Sequence, residues 1–183
     1  MISLYISVGF AIIRKKGDEK MGALRIRTAL PEDLPKILEI YACARSFMAS
    51  HGNPTQWGTS RPGEQTLRAD IGKQELYVVC GENGICGAFA FIPGEDPTYA
   101  RIDGAWHYSD AYAVIHRMAS DGSQKGIFAA CMDYCKARAS HLRIDTHKDN
   151  QIMQHLIAKA GFSYCGIIAT DDGTPRLAYD FHK

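Results

Sequence analysis

Two histidines and an aspartate lie in short apolar runs that alternate like strands. His116 lies in AYAVIHRM, and Asp145 and His147 lie in HLRIDTH. Histidine exchanges protons near neutral pH, so a histidine beside a reacting amine suits general base catalysis. Each residue also has a structural interpretation, a histidine packed on an alternating strand or an aspartate that tethers a neighbour. His116 and His147 are the candidate catalytic bases.

A glycine-containing turn follows the first of these runs. The segment MASDGSQKGIFAACMDYC, residues 118–135, passes from an apolar strand end through Gly122 and Gly126 into a helical pattern. The first N–H groups of a helix have no intrahelical acceptor and lie at the positive end of its dipole, where phosphate binds well. Lys125 adds a point charge. The turn lacks both G-x-x-x-x-G-K-[ST] and G-x-G-x-x-G, and two glycines four residues apart also suit a connection without a ligand.

The segments around these residues predict a domain of the α/β (α+β) class. Alternation and turn signals predict the strands, and helical spacing with capping residues predicts the helices, in the order β-α-α-β-β-β-α-β-α-β-β. The central strand–helix–strand unit implies one parallel pair in an otherwise antiparallel sheet with helices on both faces. Strands are expected at 23–27, 75–80, 85–92, 111–118, 141–147, 163–169 and 175–181, and helices from 31, at 64–71, at about 126–139 and at 151–159.

Composition excludes several classes of partner. The 183 residues include 21 Lys and Arg against 20 Asp and Glu, so the net charge of +1 gives no broad attraction for nucleic acid or a membrane surface. The six cysteines form no C-x-x-C pair and no zinc-type spacing, which predicts reduced thiols, no metal site and a cytoplasmic protein. We expect no nucleic-acid partner and no stable membrane association, and a homodimer stays open.

The first twenty residues differ from the rest. ISLYISVGFAII is apolar and precedes three basic residues at 14–16. It is shorter than the roughly 20 residues of a membrane span, and its charges follow it, unlike those of a secretory signal. Regular patterning begins after Met21. We expect residues 1–20 to be an extension outside the fold, with an interfacial anchor as the alternative, and residues 21–183 to be a single domain.

Three segments resemble the GNAT superfamily of acyl-CoA-dependent N-acyltransferases. RIRTALPEDLPKILEIY is similar to the first strand and helix of that superfamily. VIHRMASDGSQKGIFAACMDYCK is similar to its central strand and phosphate-binding arm, and IDTHKDNQIMQHLIAKAGFSYCGII to its next strand, helix and Gly-Phe strand entry. The resemblance covers nearly all of residues 21–183. It implies an acetyl-CoA-dependent N-acetyltransferase in which a primary amine of a small molecule or peptide attacks the thioester directly.

The resemblance also implies where acetyl-CoA binds. The pantetheine arm would lie beside the strand end at residues 118–120, and the pyrophosphate on the N–H groups of residues 123–128. Asn150 would reach the pantetheine from the exit of the next strand, and a backbone N–H near Met118 would stabilise the oxyanion. The implied cofactor-binding residues are Met118, Ala119, Ser120, Ser123, Gln124, Lys125, Gly126, Ile127, Phe128 and Asn150.

The chain departs from the superfamily pattern in two places. The arm Q/R-x-x-G-x-G/A puts Ser123 first and Phe128 last, where a small residue is usual. The tyrosine of N-x-x-A-x-x-L-Y, the usual acid for the thiolate, is Ile157 here. Tyr164 or Cys165 are alternative acids, and a thiolate also leaves with modest help. A non-catalytic acyl-CoA-binding or sensing module is therefore the main alternative function, and a hydrolase using a cysteine nucleophile lacks a supporting motif.

Aromatic residues in two loop-like stretches predict the acceptor pocket. Flat aromatic faces suit an apolar or cationic amine. We expect Trp57, Tyr99 and Trp106 to contact the acceptor, although Trp57 also suits a role in pinning its loop to the core. The stretches are 47–63 and 93–110, and their aromatic residues include Trp57, Tyr99, Trp106 and Tyr108.

Overall fold

The computed structural model of the chain describes residues 24–183, so the predicted extension at 1–20 lies outside the described residues. Its strands are β1 (Arg25–Thr28), β2 (Leu76–Gly81), β3 (Gly84–Pro93), β4 (Asp103–Gly104), β5 (Ala113–Ser120), β6 (His141–Thr146), β7 (Ser163–Ala169) and β8 (Pro175–His182). Its α-helices are α1 (Leu34–Ser50), α2 (Glu64–Gly72), α3 (Ile127–Lys136) and α4 (Gln151–Lys159). No helix within residues 24–183 has the length and apolarity needed to cross a bilayer.

The predicted fold class is confirmed. The eight strands form one sheet in the order β1-β2-β3-β5-β6-β8-β7-β4, in which only β5 and β6 run parallel. The prediction omitted β4, because a strand of two residues has no alternation to detect. The helix predicted from Pro31 begins as a 3-10 turn, and α3 ends at Lys136 rather than near Ala139.

Apolar side chains cover both faces of the sheet. On one face Val78 and Ala88 pack with α1 and α2, and on the other Val79 and Phe89 pack with α3 and α4. Successive strand residues point to opposite faces, so two helical layers require apolar residues at consecutive positions. This explains the nearly uninterrupted burial along β3.

A β-bulge distorts β5 before its end. Arg117 and Met118 together oppose a single residue of β3, Phe89. Arg117 takes a φ of 54°, and its carbonyl oxygen accepts a 2.7 Å hydrogen bond from the hydroxyl of Tyr41 in α1. Its guanidinium lies 2.8 Å from the carboxylate of Asp70 in α2. Both helices that cover this face therefore hold the bulge.

The parallel strands β5 and β6 separate halfway along their length. Their pairing runs only from Ala113–Leu142 to Ile115–Ile144, whereas β5 continues to Ser120. Within residues 24–183, no strand pairs with the edge of β5 that faces β6 beyond this point. A cleft opens there, and it contains the candidate site.

Replacing Tyr41 with phenylalanine is expected to lower the free energy of unfolding by about 1–3 kcal/mol. The change removes the hydroxyl of the fully buried Tyr41 and leaves the Arg117 carbonyl without its side-chain donor. Urea unfolding followed by circular dichroism measures the effect. Tyr108→Phe, at an exposed tyrosine, is the matched control and should stay within about 0.5 kcal/mol of the parent. Equal stability of the two variants would remove the role given to the Tyr41 hydroxyl.

Candidate active site

A cavity of about 990 Å³ occupies the cleft between β5 and β6. Its wall follows β5 from Ile115 to Ser120 and includes the first turn of α3. The other walls come from α1, from residues 56–63 and from α4. Among the residues implied for the cofactor, those that line this cavity are Met118, Ala119, Ser120, Gln124, Ile127, Phe128 and Asn150. Ser123, Lys125 and Gly126 lie in the same turn but outside the wall.

The turn before α3 is shaped by two left-handed glycines. Gly122 has a φ of 78°, and Gly126, the N-cap of α3, has a φ of 82°. Two backbone N–H groups of the turn already have acceptors. Ser120 Oγ accepts from Gly122 N–H at 3.0 Å, and Asp121 Oδ1 accepts from Ser123 N–H at 3.0 Å. The first N–H groups of α3 have no intrahelical acceptor. An anion can bind at the start of α3, whereas reaching the Ser123 N–H requires displacement of the Asp121 carboxylate.

Two side chains of the arm, those of Gln124 and Phe128, have different surroundings. The Oε1 atom of Gln124 lies 3.8 Å from Cys86 Sγ, and the side chain covers Gly81 so closely that a Cβ there would overlap it. Phe128 packs against the core and lines the cavity. The ring of Phe128 therefore forms part of the cavity wall, and Gln124 ties the turn to β2 and β3.

Asn150 joins α4 to the loop on the opposite side of the cleft. Its Oδ1 accepts a 3.1 Å hydrogen bond from Met153 N–H, which caps α4. Its Nδ2 donates to Gln56 Oε1 at 3.0 Å. Gln56 adjoins Trp57, so the asparagine positions the loop that carries this aromatic residue.

His116 lies in the cavity wall between two carboxylates. Its Nε2 lies 2.8 Å from Asp96 Oδ2, and its Nδ1 lies 3.6 Å from Asp145 Oδ1. The ring stacks on Tyr99 with 5.8 Å between centroids, and the Tyr99 hydroxyl donates to Asp145 Oδ1 at 2.7 Å. When Nε2 donates to Asp96, Nδ1 is left as the proton acceptor of the ring. The arrangement suits a general base.

Asp96 is held in its charged form beside His116. Burial opposes ionisation, but hydrogen bonds from His116 and Thr98 outweigh it and hold the pKa of Asp96 well below its usual value. Thr98 supplies both its N–H, at 2.8 Å, and its hydroxyl, at 2.6 Å, to Asp96 Oδ1. An ionised carboxylate at this position stabilises the imidazolium that forms when His116 takes a proton.

His147, the second candidate base, lies outside the cavity wall. It is buried, and its Nδ1 accepts a 3.3 Å hydrogen bond from the N–H of Asp149. Burial, reinforced by the positive charge of Arg176, lowers the pKa of His147. The structure therefore brings His116 to the cleft but not His147.

Of the three predicted acceptor contacts, the cavity wall includes Trp57 alone. Trp57 also packs edge-on against Tyr41, with 5.5 Å between ring centroids. Tyr99 is buried beneath His116, and Trp106 Nε1 donates to the Tyr99 carbonyl oxygen at 3.2 Å. The structure places both residues behind the wall, where they support the His116 cluster.

The alternative acids and nucleophiles also lie away from the cavity wall. Tyr164 is exposed on β7, and Ile157, at the usual tyrosine position, is fully buried. Burial raises the pKa of Cys165 to about 12 and that of Cys135 to about 12. All six cysteines are free, as expected. Neither cysteine has the environment of an activated nucleophile.

Sequence reasoning missed Asp96 and Arg176 in the cavity wall. Asp96 Oδ1 caps the 3-10 turn Pro97–Tyr99, so the Asp-Pro-Thr order was a usable signal for a fixed carboxylate. Arg176 is buried, donates to the Gln56 carbonyl oxygen at 3.2 Å, and lies 3.9 Å from Asp145. No residue pattern near Arg176 in the sequence indicates that it lies in the cavity wall.

Comparisons with known proteins agree with this architecture. No family model and no curated protein matches the chain. Solved structures do match: a GNAT-family acetyltransferase from Streptococcus agalactiae has 27% identity and a TM-score of 0.78, with 89% of this chain and 97% of that chain covered. A GNAT-family acetyltransferase from Listeria monocytogenes has 19% identity and a TM-score of 0.63, with 87% and 95% covered. A candidate acetyltransferase from Salmonella typhimurium, solved with its cofactor acetyl-CoA, has 14% identity and a TM-score of 0.55, with 87% and 94% covered.

The sheet, the split between β5 and β6 and the cavity along it define a fold of the acetyltransferase type. The matched structures confirm the resemblance to the GNAT superfamily. The match to the Streptococcus agalactiae structure supports acyl-CoA-dependent acetyl transfer in general, and it does not favour the non-catalytic alternative.

Acid should destabilise the parent protein more than the Asp96→Asn variant. Because the folded-state pKa of Asp96 lies below its ordinary value of 3.8, its contribution to stability is complete above that value and is lost as the pH falls below it. Urea unfolding measured from about pH 6 to about pH 3 gives the slope of the free energy of unfolding against pH for the parent and for the variant. Glu95→Gln, at an exposed neighbouring carboxylate, should retain the parent slope. Parallel curves for the parent and Asp96→Asn would refute the low pKa.

Proposed function

We propose that the chain is an acetyl-CoA-dependent N-acetyltransferase that transfers an acetyl group to a primary amine of a small molecule or peptide. The observation that carries the proposal is the unpaired edge of β5, which borders the cavity from His116 to the turn before α3. Acetyl-CoA is a linear cofactor that matches this arrangement. The amide groups of its arm suit the strand edge, its phosphate groups suit the turn before α3, and its reactive thioester suits the end near His116.

The pantetheine arm would bind as an added strand. An unpaired strand edge offers N–H and C=O groups that an extended chain with amides can use. The wall residues Met118, Ala119 and Ser120 supply this edge, and the neighbouring N–H groups of α3 with Lys125 favour the pyrophosphate. The acetyl-CoA bound to the related fold from Salmonella typhimurium supports the choice of cofactor.

His116 is proposed as the base for the amine. The amine nitrogen attacks the thioester carbonyl, and His116 Nδ1 takes the proton that the nitrogen loses. Asp96, held ionised, stabilises the resulting imidazolium. A backbone N–H near Met118 would stabilise the oxyanion while the C–N bond forms. The C–S bond then breaks, and the CoA thiolate leaves without a tyrosine acid and takes its proton from the imidazolium or from water.

The acceptor is expected at the side of the cavity near His116. The carboxylates of Asp96 and Asp145 flank His116, and the cavity wall also includes Asp171 and the aromatic face of Trp57. Negative charge and an aromatic surface both favour a cationic amine before it loses its proton. A thiol-release screen with acetyl-CoA across amino acids, polyamines, aminoglycosides and peptide amines identifies the class.

Gly126→Asp is expected to weaken CoA binding by at least about tenfold, which corresponds to about 1.4 kcal/mol. The substitution puts a carboxylate at the N-cap of α3, where the pyrophosphate should lie. Isothermal titration calorimetry with CoA gives the dissociation constant. Gly126→Asn, an uncharged residue that tolerates the same left-handed φ, is the matched control. Equal affinities for the two variants would exclude this phosphate site.

His116→Gln should lower kcat by about 10²–10⁴-fold while CoA affinity stays the same. The substituted amide can still hydrogen-bond to Asp96 but cannot accept the amine proton. His147→Gln, outside the cavity wall, is the paired comparison and should keep kcat near the parent value. Steady-state thiol release with the best amine of the screen measures both. Full activity of His116→Gln would rule out this histidine as the base.

A further inference from the structure

A cluster outside the cavity brings together three kinds of metal ligand. His107 Nδ1 lies 3.2 Å from Cys165 Sγ and 2.8 Å from Asp180 Oδ1, and the three atoms all lie within 4.8 Å of one another. It is the one such group found among residues 24–183. Imidazole nitrogen, thiolate sulfur and carboxylate oxygen are the ligand types that Zn²⁺ takes in proteins.

The backbone that carries the thiol is specially shaped. The register between β7 and β8 shifts just before Gly166, and Cys165 and Gly166 are buried in succession where a regular strand would alternate. Gly166, with a φ of 147°, passes so close to Gly104 of β4 that a Cβ on either residue would overlap the backbone of the other strand. A β-bulge redirects a side chain. Here it directs the Cys165 thiol toward the other two ligand atoms.

The carboxylate is fixed and the histidine is accessible. Asp180 is 1% exposed, and its Oδ2 accepts a 2.9 Å hydrogen bond from the backbone N–H of His107, which leaves Oδ1 directed at the imidazole. The His107 side chain is 46% exposed and gives an ion a path from solvent. The three ligands come from three segments, the loop after β4, β7 and β8, so no local sequence spacing could reveal them.

We propose that His107, Cys165 and Asp180 form a site for one divalent ion of the Zn²⁺ type, bound through Nδ1, Sγ and Oδ1 with water as the fourth ligand. Binding releases the thiol proton to solvent, and the neutral imidazole carries its proton on Nε2 while Nδ1 binds the ion. A tetrahedral zinc ion separates such ligand atoms by about 3.3–3.6 Å, so the two short distances must open by only about half an ångström. The bound ion would cross-link β7 and β8 to the loop after β4.

The site is independent of the acetyltransferase proposal. None of its three residues lines the cavity along β5. Metal binding can therefore be tested without CoA and without an amine, and the result for one proposal does not decide the other.

Cobalt titration of the chelator-treated protein tests the ligand set directly. Co²⁺ should bind one ion per chain and give a thiolate-to-cobalt charge-transfer absorption together with the intense visible bands of tetrahedral Co²⁺. Zn²⁺ should then abolish both signals by replacement. Absence of the charge-transfer absorption in the parent protein would overturn the proposal, since the Cys165 thiolate would not be a ligand.

Matched variants locate the site. Cys165→Ser and His107→Ala should each weaken Zn²⁺ binding by more than about 100-fold, because loss of supporting residues alone costs about 10–100-fold. Asp180→Asn, which keeps the shape of the side chain, should also weaken it. Cys80→Ser in β2 and His155→Ala on the exposed side of α4 are the controls and should bind like the parent.

Thermal unfolding separates loss of binding from loss of folding. Zn²⁺ should raise the Tm of the parent and of both controls, because an ion that binds only the folded state stabilises it. The same ion should leave the Tm of Asp180→Asn and Cys165→Ser unchanged. Parent-like Zn²⁺ affinity in those two variants would overturn the site and assign the cluster to hydrogen bonding alone.

Discussion

The separation of β5 from β6 is the constraint on which the candidate site depends. Parallel pairing stops after Ile115, while the antiparallel pairing of β5 with β3 continues to Ser120. The bulge at Arg117 coincides with this separation, and Tyr41 and Asp70 hold it from two different helices. Without the separation, the backbone groups of residues 117–120 would be hydrogen-bonded to β6, and no cavity would lie between the strands.

Each end of the resulting cleft has its own kind of charge. The turn before α3 offers N–H groups and a helix dipole, which favour anions. The region around His116 contains the carboxylates of Asp96 and Asp145, which favour cations and an imidazolium. A substrate pair with an anionic cofactor and an amine acceptor is thereby given one orientation. The proposed base, His116, and the turn proposed to bind phosphate therefore lie at opposite ends of the cleft.

Local patterns in the sequence predicted the elements but not their side-chain partners. The Asn150 cap, the left-handed Gly161 and the two final hairpin strands follow from residue preferences that act within a few positions, so they were predictable. The partners of His116 are Asp96 and Asp145, which lie 20 and 29 positions away and meet it only through tertiary packing. Tyr99 and Trp106 were recognised as aromatic residues near the site. Their position behind His116 depends on how residues 93–110 fold over β5, and local sequence patterns do not reveal that.

The Asp121 carboxylate has a consequence for how a ligand arrives. By accepting hydrogen bonds from the N–H and hydroxyl of Ser123, it holds the curvature of the turn and occupies a position that the proposed pyrophosphate would need. Replacing the carboxylate by a phosphate as the hydrogen-bond acceptor would require no ordering of a flexible loop, so the entropy lost on binding would be small. In the proposed binding mode the pyrophosphate takes the place of this carboxylate, so the rate of CoA association should depend on how readily Asp121 leaves Ser123.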